Sequence, residues 1–229
     1  MYKQIFTLLI FLLSNICGSN IQAAPSQLLP CDFVYELTPE IKLYHKHLNM
    51  HFAANGGLEQ LNLDFIMYIL PSFENESVII SYETSKGQHV IEHLTSQDSV
   101  WYLLNKYAEI NSIQIYDISE KADINLPKIV SDRKKVISKD TSYNIKTAIE
   151  FAVRNSRYDA KEFEGYHGQL DGTSIHFITS DQKCGWPFVN SAPGTAKKIF
   201  ILSGLLKDFI EDKSSEESLV TASNDIINP

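Results

Sequence analysis

"VIISYETSKGQHVIEHL", Val78 to Leu94, is the stretch on which the reading of this chain turns. Its first seven residues are rich in β-branched and aromatic side chains, and "SKG" at Ser85 to Gly87 has turn composition. "QHVIEHL" then supplies a returning strand, so the whole reads as a β-hairpin. In that hairpin His89, Ile91 and His93 share one face and Val90, Glu92 and Leu94 the other, because side chains alternate along a strand. A helix is the competing reading, since it brings residues four apart together. Between Gly87 and Ser96, however, there is room for only about two turns, which is marginal for a helix standing alone. The expectation is a strand.

The competing reading matters because His89-x-x-Glu92-His93 resembles the ligand order of the inverted zinc peptidases. The resemblance implies zinc held by His89 and His93 on one helical face and Glu92 activating the bound water. A third ligand would come from downstream, with Glu162 or Glu164 in its place. This zinc-dependent hydrolase is the alternative to a protein without catalysis. A second cluster, "YHKHLNMH", carries His45, His47 and His51. On a helix His47 and His51 stand at the spacing that suits zinc or copper, while His45 points elsewhere. The expectation there is a solvated helix face beside an Ile41–Tyr44–Leu48 stripe, with no cofactor. Gly-x-Ser-x-Gly, Gly-x-Gly-x-x-Gly and Walker patterns are missing from the sequence, which removes the nucleophile-elbow and nucleotide-binding signals.

The ends indicate where the chain goes. Lys3, the apolar run Ile5 to Ile16 and "SNIQAAP" predict a signal peptide over residues 1–24. The run is about a dozen residues, short of the roughly 20 that cross a bilayer, so removal is expected rather than membrane insertion. Ile16 before Cys17 is too bulky for a lipoprotein site. Loss of Lys3 with the leader takes the formal net charge from −8 to −9. An acidic chain without a clustered basic face is a poor partner for nucleic acid. Cys31 and Cys184 remain, and in an oxidising compartment such a pair predicts a disulfide. The expected location is the periplasm or the exterior.

Along the chain, Thr38 and Pro39 start a helix that Gly56-Gly57 stops. "LNLDFIMYILP" alternates as a strand, and Asp32 to Leu37 and "SIQIYDI" read as shorter ones. Helices are expected after Ser96, over "DTSYNIKTAIEFAVRN" and from Thr195 to Ile210. "GYHGQLDGTSIHFIT" reads as a hairpin, and residues 122–139 as a connection with one short strand. The fold class expected is α+β: a mostly antiparallel sheet packed with about four helices in one domain over residues 25–212. Residues 213–229 are expected to form a disordered polar tail. Arg154 to Tyr158, Leu170 to Phe177, Gly185-Trp186-Pro187 and the closing amphipathic helix resemble an arrangement in uncharacterised exported proteobacterial proteins. That resemblance implies a bacterial origin and carries no activity. The functional expectation is an exported protein that binds another macromolecule, as an immunity-type neutraliser of a basic toxin or lytic enzyme. Trp186 and Phe188 are its candidate interface anchors.

Overall fold

The structure is a computed structural model that describes residues 28–71, 74–119, 122, 124–157, 173–187 and 194–228. The hairpin forms as the sequence predicts. Strand β3 (Ser77–Glu83) and strand β4 (His89–Ser96) pair antiparallel, with Tyr82 opposite Val90 and Ile80 opposite Glu92. Gly87 closes the turn at φ +75°, a left-handed conformation that glycine adopts without steric cost. Its N–H donates to the Thr84 carbonyl at 2.9 Å.

Around this hairpin stand β1 (Leu29–Pro30), β2 (Asn62–Pro71), β5 (Ile129–Ile137), β6 (Thr173–Thr179) and β7 (Cys184–Trp186). The described strands form one sheet in the order β1-β7-β6-β2-β3-β4-β5, and every pairing is antiparallel. The α+β expectation holds. In β3, Val78, Ile79 and Ile80 are all buried, as in a strand covered on both faces.

Helices supply that cover. On one face, α4 (Lys139–Arg154), α5 (Thr195–Ile210) and α6 (Glu216–Ile227) share an apolar core with Met67, Ile79, Ile91 and Phe177. On the other, α2 (Pro39–Gly56) and α3 (Val100–Asn111) pack with Tyr68, Ile80, Val90 and Leu94. A short helix α1 (Cys31–Leu37) precedes α2. The cysteine pair forms as expected: Cys31 is bridged to Cys184 across 153 residues, with Cα atoms 5.5 Å apart, and ties α1 to β7.

Five expectations are corrected. Asp32 to Leu37 is helical rather than extended, because its ends are set by the bridge at Cys31 and the Pro39 that opens the next helix. "SIQIYDI" forms no strand; its centre is a single 3-10 turn, Ile115–Asp117. The connection after residue 122 contains a full nine-residue strand, β5. Ser99, not Ser96, caps α3 by accepting from the Tyr102 N–H. Finally, the tail expected to be disordered carries α6. Leu219, Ser223 and Ile226 fall three and four apart and are buried, which is a helical stripe inside a polar composition. Ser215 caps that helix, and the Glu216 carboxylate accepts from the Ser138 N–H (3.1 Å), Ser138 Oγ (2.7 Å) and Thr141 Oγ1 (2.6 Å). Burial opposes ionisation there, but hydrogen bonds from Thr141 and Ser138 outweigh it and hold the Glu216 carboxyl below its ordinary value. The tail is thereby fastened to the start of α4.

Candidate functional site

The zinc-peptidase arrangement does not form. His89 and His93 lie on β4, four strand positions apart, which separates their Cα atoms by about 13 Å. They share the face of Ile91, toward α4, α5 and α6, as the alternation predicts. Glu92 points the opposite way, where it accepts from Tyr82 Oη at 2.8 Å and pairs with Lys134 Nζ at 3.3 Å. A base and two ligands split across a sheet cannot serve one metal. Glu162, Glu164 and Phe188 lie outside the described residues. Among the described residues no three His, Cys, Asp or Glu side chains converge as a metal site.

The histidines of α2 are not solvated. His45, His47 and His51 are all buried, with Tyr44, Leu48 and Phe52, so the helix hides an arc of about 160° at roughly 100° per residue. The correction comes from the second face of the sheet, which β6 and β2 extend over α2. His51 Nε2 lies 3.2 Å from Ser96 Oγ, whose own proton goes to the Asp98 carbonyl at 2.7 Å, so the imidazole is the donor. One ring nitrogen is thus engaged, and His47 and His51 find no third donor among the described residues.

His45 faces elsewhere, as expected, and its neighbours form an aromatic stack. Its ring lies on His176 of β6 at 4.2 Å and 20°, and His176 lies on Tyr68 of β2 at 4.6 Å and 12°. Trp186 closes one side, 4.9 Å from His45 and 5.7 Å from His176, so this candidate interface anchor packs inward. Tyr35 Oη and His45 Nδ1 share a hydrogen bond at 3.0 Å, while Tyr68 Oη donates to Asn49 Oδ1. His45 Nε2 and both His176 nitrogens have no hydrogen-bond partner among the described residues. Stacked imidazoles direct their lone pairs side by side in their ring planes, so this pair does not chelate one ion. Burial pushes His45 down to about 3. His176 is held well below its ordinary value by burial and then by His45. His51 falls to about 4 through burial, partly opposed by the Glu76 charge. All three are neutral at pH 7.

Tyr44, next in α2, leads outward. Its hydroxyl donates to Glu76 Oε1 at 2.8 Å, and its ring meets Trp101 edge to face at 5.1 Å. Glu76 is 1% exposed and binds the start of α3: its Oε2 accepts from the Val100 N–H at 2.8 Å, and its Oε1 from the Trp101 N–H and Ser99 Oγ, each at 3.0 Å. A carboxylate there complements the positive helix end and satisfies donors that the first turn leaves over. Above this anchor lies an open groove of about 590 Å³, lined by Glu74, Asn75, Asp98, Trp101, Tyr102 and Asn105. Trp101 is 38% and Tyr102 62% exposed. Asn105 Nδ2 donates to the Trp101 carbonyl and Asn75 Nδ2 to the Gln97 carbonyl, both at 2.8 Å, which fixes two walls. Two carboxylates and two aromatic rings line the groove, and no Lys or Arg is among its lining residues.

Reading the sequence missed this groove. A signal was present: the stripe Val100, Leu104 and Ala108 buries α3 and leaves the consecutive aromatics Trp101 and Tyr102 unexplained. Glu74 and Asp98 flank it only because β3 and β4 return to the same end of the sheet. Compared with protein-family models, curated proteins and solved structures, the chain matches none.

Proposed function

We propose that this chain is an exported, non-enzymatic binding protein that captures a basic partner protein by taking a Lys or Arg side chain into the Trp101–Tyr102 groove. The observation that carries the reading is the groove's chemistry: aromatic faces attract a cation through their quadrupole, and Glu74 and Asp98 add full negative charge beside them. A contact of this kind is worth about 0.5–2 kcal/mol as cation–π attraction alone, more when desolvated. The formal net charge of −8 supports the same partner, since complementary fields speed encounter and set register. A basic toxin or lytic enzyme is the partner class that an acidic exported neutraliser would meet. The Cys31–Cys184 bridge agrees with an oxidising compartment.

Binding of oligo-lysine and oligo-arginine peptides, followed by tryptophan fluorescence at low salt, tests the reading. The wild type binds both, ignores oligo-glutamate, and weakens with salt. Tyr102→Ala and the pair Glu74→Gln with Asp98→Asn each lose about tenfold or more in affinity without loss of thermal stability. Equal affinity in the variants and the wild type, or none in the wild type, rejects the groove.

A further inference from the structure

The His45–His176 stack is unlike the rest of the core. The two titratable rings are each 1% exposed, yet three of their four nitrogens reach no hydrogen-bond partner among the described residues. An imidazole buried that way is tolerated while neutral and has nowhere to place a second N–H when protonated.

We propose that this stack is an acid latch: uptake of a proton by either ring breaks it, frees α2 from the sheet, and so loosens the Tyr44–Glu76 frame that holds the start of α3. The groups facing the pair supply no counter-charge. From α1 comes Tyr35, with Asp32 behind it; from α2 comes Tyr44; from β2 comes Tyr68, and from β7 Trp186. Glu76, the carboxylate at the head of β3, is already bound by Tyr44, Ser99, Val100 and Trp101. No carboxylate among those neighbours is hydrogen-bonded to either imidazole. Because α2 carries both His45 and Tyr44, movement of one ring is transmitted in a single residue to the Glu76 network.

The direction of the pH effect follows. Burial depresses both histidines in the folded chain, whereas the unfolded or opened chain titrates near 6.5. Their contribution is therefore complete above about pH 6.5 and is lost as pH falls below it. With an open-state value near 6.5, each ring held neutral multiplies the opening constant about fivefold between pH 6.5 and 5.5, so the pair gives about thirtyfold. His51 adds its own slope and is the internal control, since it lies outside the stack. The bearing of the latch on partner binding rests on the groove reading; its effect on stability does not.

Two readouts on the full, disulfide-bonded protein test it: urea midpoints, and hydrogen exchange at the Val100 and Trp101 amides, each between pH 7.5 and 5. In the wild type, exchange protection corrected for intrinsic rate falls at least about thirtyfold from pH 6.5 to 5.5. In His176→Phe and in His45→Phe the fall shrinks about fivefold relative to the wild type, and His51→Asn leaves these two amides with at least the roughly thirtyfold fall of the stacked pair. Identical slopes in wild type and both phenylalanine variants overturn the latch. Should those variants fail to fold, labelled-histidine NMR of the wild type decides: the two rings stay neutral until the cooperative transition, and a titration near pH 6.5 in the intact fold overturns the proposal. If oligo-lysine binds at no pH while the slopes behave as stated, the groove fails and the latch stands.

Discussion

The two faces of the sheet are built from different chemistry. Toward α4, α5 and α6 the buried set is Ile, Leu, Val, Ala, Phe and Met, with no titratable side chain among its clustered members. Toward α2 and α3 the apolar members are joined by Tyr44, Tyr68 and Tyr82, and by buried His45, His51, His176 and Glu76. The first face gains chiefly from area removed from water, which is insensitive to pH, and its histidines, His89 and His93, are only half-buried. The second gains from hydrogen bonds that must be satisfied, and loses where they are not. A stable foundation on one side allows a costly polar cluster on the other. The groove sits at the end of the polar side.

The largest test removes the tie between them. Replacing both Cys31 and Cys184 with Ser opens a loop of 153 residues and is expected to cost about 5 kcal/mol in the chain-entropy picture, read as a lower urea midpoint. Loss of near-ultraviolet signal before loss of helicity would show that the polar face, capped by α1, separates first. Next in size, Phe177→Ala empties a fully buried site on the apolar face and is expected to cost about 4 kcal/mol. That loss should be the same at pH 7.5 and 5.5. A pH-dependent loss would mean that the two faces are coupled through β6, where His176 precedes Phe177. The smallest change, Tyr44→Phe, deletes one hydrogen bond to a buried carboxylate and is expected to cost about 2 kcal/mol. It should also lower exchange protection at Val100 and Trp101 more than elsewhere. Uniform loss across the chain would break the link drawn between α2 and the groove.

How much of this was legible before the structure depends on the range of the interactions. The β3–β4 hairpin is written in adjacent residues: alternation on both sides of a glycine turn. The stripe of Ile145, Ala148, Ile149 and Ala152 in α4 is equally local. Helix α6 was legible in part, because Ser215 with Leu219, Ser223 and Ile226 has cap and spacing, but its polar composition argued for disorder. Helix α1 was not legible, since the β-rich run Asp32 to Leu37 becomes helical only between the bridge and α2. The groove was not legible either, since Glu74 precedes β3, Asp98 precedes α3, and only the pairing of β3 with β4 brings both beside Trp101.

By itself, the sequence determined the α+β class, the hairpin at its centre, the disulfide pair and the separation of Glu92 from His89 and His93. Each follows from local periodicity or from the chemistry of a single residue type. Only the tertiary structure decided that the α2 histidines are buried, that His45 lies on His176, and that Glu76 joins Tyr44 to α3. Those contacts join residues tens to more than a hundred positions apart, and burial is a property of what the far segment brings, which no local pattern encodes.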